Sequence, residues 1–305
     1  MLLKELQNEF LVSGEKKISP ADFFVLLSDV TKKEKTFLLA HPEYSLSGEE
    51  EKTLRNFFER RLHHEPVAYI IGHKEFYGYD FIVTPDTLVP RPETELMVEL
   101  ALNKIESGIS NLEYRKKKVT VADIGTGSGN IIISLVKEVE KLYQIASIKY
   151  YASDISEDAL IVAKENAKRH NVDKKITFHQ SNLLESSIEE ISLADEIIIL
   201  ANLPYLSEEI YESSPEDVKN FEPKSALISD QDGLNHYYRL FEQIKNISKP
   251  PRLDERERGW ATLFLEISPE QASLLKKAIP LFFPQAPIKI HKDLAQKDRV
   301  VEIRI

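Results

Sequence analysis

The chain has 305 residues, of which 42% are hydrophobic and 30% charged, a net charge of −10 and no cysteine. This describes a globular chain with apolar residues enough for a core, and the length predicts two domains. The missing cysteines exclude disulfides, thiolate metal sites and a cysteine nucleophile. The acidic balance argues against a surface that tracks phosphate backbones. No apolar run approaches the roughly 20 residues that cross a bilayer. The opening Met1-Leu-Leu-Lys-Glu-Leu-Gln meets charge too soon for a signal peptide, so a cytoplasmic location is expected.

Residues 1 to about 65 read as short amphipathic helices. Ser19-Pro20 starts one, with Phe23, Phe24 and Leu27 at helical spacing, and Ser47-Gly48-Glu49-Glu50 opens another with Leu54, Phe57, Phe58 and Leu62. His63-His64 reads as an exposed helix end without acids to complete a metal site. Lys74–Thr84 is aromatic and β-branched around Gly78, which predicts a hairpin, and the prolines from Pro85 to Pro92 stop any regular element. A helix is expected from Glu93. Beyond residue 118, apolar strands are expected at Val119–Asp123, Ile148–Ser153, Ile176–His179, Ile197–Ala201 and Thr262–Ile267. Helices are expected at Asn130–Leu142, Glu157–His170, Gly233–Asn246 and Pro269–Ala278. Strands without polar alternation, separated by helices, mean a parallel sheet covered on both faces. Arg299–Ile305 alternates and is expected to pair antiparallel at one edge, with Ile288–His291 beside it. Trp260 is expected at the sheet rim. The charged segments Arg115–Lys118 and Lys249–Gly259 read as surface loops.

Val121-Ala-Asp-Ile-Gly-Thr-Gly-Ser-Gly-Asn-Ile is a strand, a glycine-rich turn and a helix start. Gly125, Gly127 and Gly129 let the backbone turn sharply, and the helix beyond offers unpaired N–H groups to an anion. A plain tight turn would use the same glycines. Asn130 replaces the third glycine of a dinucleotide fingerprint, and no Lys-Ser/Thr follows to make a P-loop. Asp154 ends the next strand, where an acid accepts both ribose hydroxyls of an adenosine or else merely caps the following helix. Together the two features favour an adenosine cofactor, and S-adenosylmethionine over NAD.

After the run Ile197–Ala201 comes Asn202-Leu203-Pro204-Tyr205. A strand cap with a packed tyrosine would explain it blandly. The chemical reading is methylation of an NH₂ group whose lone pair is delocalised. Asn202 Oδ1 and the Leu203 carbonyl accept its two hydrogens, Pro204 fixes that carbonyl's direction, and Tyr205 offers a flat face to the acceptor plane. Positioning and desolvation then do the catalysis. No metal, serine-hydrolase or other catalytic motif competes.

On these residues the chain resembles the protein-(glutamine-N5) methyltransferases of peptide-chain release factors, the HemK/PrmC family. The likeness extends to Glu65-Pro-Val-Ala-Tyr-Ile-Ile-Gly72, Glu75-Phe-Tyr-Gly78, Leu88-Val-Pro-Arg-Pro-Glu-Thr-Glu95, Glu222-Pro223, Asp232-Gly-Leu234, Leu265-Glu-Ile267, Asp293-Leu-Ala and Asp298-Arg-Val-Val301. The resemblance implies an α/β fold: a seven-stranded, Rossmann-like class I methyltransferase domain, joined by a β-hairpin to a small N-terminal helical domain. The boundaries would be 1–73 for helical substrate recognition, 74–92 for hairpin and linker, and 93–305 for catalysis. It implies S-adenosyl-L-methionine held by Gly125, Thr126, Gly127, Ser128, Gly129, Asp154, Asn182, Leu183 and Asn202, with the Asn182-Leu183 pair beside the adenine. It implies a release-factor Gly-Gly-Gln glutamine as acceptor at Asn202, Leu203, Pro204 and Tyr205, with Asn202, Pro204 and Tyr205 catalytic. No metal, membrane or direct nucleic-acid partner follows from it, and a monomer is expected. Two residues depart from the family pattern. Leu203 replaces a proline and Asn182 an acid.

Asn-Leu-Pro-Tyr is also the spelling of ribosomal-RNA adenine dimethylases, and the tetrapeptide alone does not choose between two planar NH₂ acceptors. The absence of a basic stripe and the N-terminal position of the extra domain favour glutamine. A ribosomal-protein glutamine methyltransferase is the near neighbour, and a non-catalytic binder of the cofactor is a third reading. The long acidic connection Leu206–Asp232 reads as a binding loop or as a solvated one.

Overall fold

The computed structural model describes residues 1–12, 17–109, 117–142, 148–247 and 260–305. Segment 249–259 and residues 115 and 116 of the 115–118 cluster lie outside them. The chain divides into two compact units, Met1–His73 with Ser214–Phe221, and Lys74–Ser213 with Glu222–Ile305.

The first unit is helical, with helices Leu3–Gln7, Pro20–Thr31, Lys35–Ala40, Gly48–Leu62 and Val67–Ile71. Ser19 caps Pro20–Thr31 by accepting from Asp22 N, and Pro20 sits at the first helical position, where its missing N–H costs nothing. Ser47 and Glu50 form a reciprocal capping box at the start of Gly48–Leu62. The inward faces meet in one core that includes Phe23, Phe24, Leu27, Leu54 and Phe58, with Phe23 and Phe58 stacked at 4.9 Å. His63 caps the C-terminal end of Gly48–Leu62 and His64 follows it. His63 Nδ1 bonds Glu59 O at 2.8 Å, and His64 pairs with Glu216 at 3.0 Å.

The hairpin consists of β1 (His73–Phe76) and β2 (Tyr79–Ile82). Tyr77 and Gly78 both take positive φ, 54° and 75°, as a two-residue turn matched to strand twist requires. The main sheet has β3 (Val119–Ile124), β4 (Ile148–Asp154), β5 (Ile176–Gln180), β6 (Glu196–Ala201), β7 (Ala261–Glu266), β8 (Ile288–Lys292) and β9 (Asp298–Arg304). Its order is β5-β4-β3-β6-β7-β9-β8, parallel through β7 and antiparallel beyond. Every residue of β3, β6 and β7 is buried. On β6, Ile197, Ile199 and Ala201 enter one core while Ile198 and Leu200 enter the other, so the strand separates two cores. Each such side chain contributes about 1.5–3 kcal/mol by leaving water, which is why the strand reads as continuous apolar sequence.

Four expectations change. β9 is an inner strand between β7 and β8, and β8 forms the edge. Alternation reports one covered face and does not report pairing order. The helix expected at Glu93 begins as a 3-10 turn, Pro92–Thr94, and becomes α-helical over Glu95–Ile109. Likewise, a 3-10 turn Pro269–Gln271 precedes helix Ala272–Phe282, which runs past Ala278 and carries Pro280 within it. The connection 206–232 is not a bare loop. It holds the short helices Glu208–Glu212 and Glu216–Phe221, and Leu206 bridges Ile228 as a single parallel pair. Trp260 is half-buried against one core beside β7.

Candidate functional site

β3 and β6 are neighbours although β4 and β5 intervene in sequence, so the sheet's direction of growth reverses between them. Crevices at such a reversal, beyond the carboxyl ends of the strands, are where open α/β sheets bind ligands. Ile124 pairs with Ala201 across the two strands, which brings the turn beginning at Gly125 beside the turn beginning at Asn202. A Cβ on Gly125 would lie 2.9 Å from Leu203 Cδ2, so the two turns touch and the φ of +72° is open only to glycine there. A cavity of about 340 Å³ opens over both, within the range of small-ligand sites.

The glycine turn is held from below and from the side. Gly125 N and Thr126 N both donate to Ser153 O, at 2.8 and 2.9 Å. Asp154 Oδ2 accepts from Gly127 N and Oδ1 from Ser156 N, each at 2.9 Å. Ser156 itself caps helix Glu157–Arg169, so Asp154 braces the turn rather than that helix. Burial raises the Asp154 pKa, and backbone N–H groups oppose the rise. Asp123, fully buried at the end of β3, is pushed up to about 7 by burial, while the Thr126 hydroxyl donates to it at 2.7 Å.

Gly125, Thr126, Gly127, Ser128, Asp154, Asn182, Leu183, Asn202, Leu203 and Pro204 all line the cavity. Gly129 does not. It faces Ile133 and Ala163, where its bare Cα lets two helices pack closely. Tyr205 is also outside the wall. It packs against the core, burial raises its hydroxyl pKa, and its carbonyl accepts from Gln271 Nε2 at 2.8 Å. Its ring is partly exposed beside that core.

Further residues support these two turns. Thr94 Oγ1 accepts from Asn202 Nδ2 at 3.3 Å, which leaves Asn202 Oδ1 as the other end of that amide. Gln271, 2% exposed, ties the Tyr205 and Asp232 carbonyls together and accepts from Ser268 N. Gly233 lies against this tie, and any side chain there would collide with the Tyr205 carbonyl and the Gln271 amide. The Tyr237 hydroxyl donates to the Glu266 carbonyl at the end of β7. Glu266 itself is pushed up to about 7, first by burial, with Thr94, Arg299, Glu93 and Tyr205 acting on it. Arg91, on the cavity wall, pairs with the buried Glu222, which also accepts from Val89 N at 3.4 Å and so fastens the proline-rich strap. Arg91, Thr94, Glu222, Gly233 and Glu266 lie within segments that carry the family resemblance, whereas Gln271 and Tyr237 lie outside them.

A family model described as the PrmC N-terminal domain matches residues 2–72, and one described as a methyltransferase domain matches residues 115–245. The chain is 33% identical over 277 residues to the release factor glutamine methyltransferase of Bacillus anthracis, covering 91% of this chain and 89% of that one. It is 34% identical to the protein of that name from Clostridium acetobutylicum, covering 98% and 93%. The Bacillus subtilis protein of that name is 34% identical, with 96% and 93% covered. Among solved structures, the hMettl16 catalytic domain in complex with MAT2A 3'UTR hairpin 1 aligns with a TM-score of 0.50 and 14% identity over 96% of this chain and 94% of that chain, a likeness of fold alone.

Proposed function

We propose the following chemistry on one premise: the chain belongs to the release factor glutamine methyltransferase family, to whose members it is about a third identical along nearly its whole length. It is an S-adenosylmethionine-dependent methyltransferase. The residues present fit that cofactor. Gly127 leaves open space where a Cβ would stand, Asp154 keeps a lone pair on each oxygen beyond its backbone bonds, and Asn182 and Leu183 stand on the same wall. When bound, the cofactor supplies an electrophilic methyl group on a sulfonium sulfur.

The chain's own part is to present the acceptor nitrogen. The substrate is the glutamine side-chain amide of the release-factor Gly-Gly-Gln motif, methylated at N5. Asn202 Oδ1 and the Leu203 carbonyl accept the two amide hydrogens, which orients the nitrogen and enriches it in electrons. Thr94 engages the Asn202 nitrogen and so turns its oxygen outward. Leucine at 203 serves because only its carbonyl is used, and its side chain, 3% exposed, anchors the turn in the core in place of a proline ring. Pro204 limits the swing of that carbonyl. Tyr205 supports the loop through its pinned carbonyl, and its partly exposed ring offers a flat face to the acceptor plane. The helical unit grips the release factor away from this loop. The enzyme works as a cytoplasmic monomer without direct contact to nucleic acid or membrane.

The observation that carries the reading is the adjacency of the Gly125 and Asn202 turns over one cavity, enforced by the Ile124–Ala201 pairing. Methyl-labelled S-adenosylmethionine tests it, incubated with a release factor that is wild type or has its Gly-Gly-Gln glutamine changed to alanine. Label in the wild-type factor alone is expected. Label in the mutant factor, in a ribosomal protein or only in RNA would overturn the proposal.

A further inference from the structure

Asn182 has an amide on the cavity wall, and an amide can face a ligand with either its oxygen or its nitrogen. Its surroundings remove that freedom. Asn182 Nδ2 donates to Glu185 Oε1 at 2.9 Å. An ionised carboxylate only accepts, so it selects the nitrogen of Asn182 and leaves Oδ1 as the end available to a ligand.

Glu185 is exposed and needs its own support, which comes from helix Asn235–Lys245. Gln243 Oε1 accepts from Leu184 N at 2.8 Å. A backbone N–H can only donate, so the Gln243 amide is oriented too. Its Nε2 therefore points at two acceptors, the Asn182 carbonyl at 3.2 Å and Glu185 Oε1 at 3.3 Å. The segment so clamped holds Leu183 at φ +59°, a left-handed conformation unfavourable for leucine, and the Ser153 hydroxyl fastens its carbonyl at 3.0 Å. This left-handed backbone lies on the cavity wall and is held there by two side chains, those of Gln243 and Ser153.

We infer that Glu185 and Gln243 are positioning residues that lock the Asn182 amide with its oxygen toward the cofactor, making a neutral side chain read the adenine 6-amino group as a carboxylate would. The inference rests on Asn182 being the adenine contact. An unlocked amide would present its nitrogen part of the time, which repels an amine and welcomes a 6-oxo group. The device therefore governs discrimination between bases more than affinity.

The test is calorimetric binding of S-adenosylhomocysteine and its 6-oxo analogue S-inosylhomocysteine to the full chain. The wild type is expected to prefer the amino form. Glu185→Ala and Gln243→Glu should each cut the preference about fivefold, the scale of one exposed charge-assisted hydrogen bond. The double variant Asn182→Asp/Glu185→Ala should restore it, since aspartate accepts through both oxygens and needs no orienting. A merely structural role for Glu185 predicts no such rescue. An unchanged preference in Glu185→Ala, or failed rescue in the double variant, overturns the clamp while leaving the adenine contact standing. If Asn182→Ala also keeps the wild-type preference, the adenine contact falls with it.

Discussion

Replacing Glu266 by glutamine removes an acid that the fold holds against its own interest. The side chain is 1% exposed, and its Oε2 finds no hydrogen-bond partner among the described residues. Burial pushes its pKa from 4.5 up to about 7, with Arg299 and Thr94 opposing and Glu93 reinforcing the rise. The folded chain therefore keeps a proton that the unfolded chain releases between those values, and stability falls as pH rises through that window. At about 1.36 kcal/mol for each pH unit, the ionised carboxylate costs the folded state roughly 3 kcal/mol above pH 7. Glutamine, neutral throughout, escapes this cost. Urea unfolding from pH 4.5 to 8 should show Glu266→Gln gaining on the wild type by roughly 3 kcal/mol across the range. Taking the difference between the two proteins cancels the parallel contribution of Asp123, which is also pushed up to about 7. A difference that stays flat with pH would refute the reasoning.

Asn202→Ala removes an acceptor for the substrate amide, and single-turnover methyl transfer to a release factor should slow on the order of 100-fold, with the melting temperature little changed. A wild-type rate would remove Asn202 from the chemistry. Arg91→Ala strips the guanidinium from Glu222, whose side chain is 1% exposed, and should cost about 3 kcal/mol in urea unfolding. Arg91→Lys should recover part of it.

The parallel strands β3, β6 and β7 were legible because each is buried on both faces, β4 and β5 from shorter apolar cores, and the helix Asn130–Leu142 because a glycine turn opens it. Topology then made Gly125 and Asn202 neighbours, so the two halves of the site followed from sequence once the sheet order was known. The position of β9 was not legible, since an alternating strand fits an edge or an inner place equally. The helices within 206–232 are short and polar, stabilised by contacts distant in sequence such as the Leu206–Ile228 bridge. The supporting polar layer was illegible for a related reason. Thr94, Tyr237, Gln243 and Gln271 come from three separate elements, and each looks like an ordinary polar interruption until the fold assembles them. The bond from Gln271 to the Tyr205 carbonyl was not legible either, since nothing in Asn-Leu-Pro-Tyr names a partner 66 residues away.

The contact at residue 233 limits how this chain can change. Only a hydrogen atom fits between that Cα and the carbonyl of Tyr205, so the floor beneath the acceptor tetrapeptide has no slack. Room for a bulkier acceptor has to be made on the opposite wall, along Pro85–Arg91, where a surface strap rather than a packed strand bounds the opening. Laboratory evolution toward other amides should accordingly accumulate its changes in that strap and leave position 233 untouched.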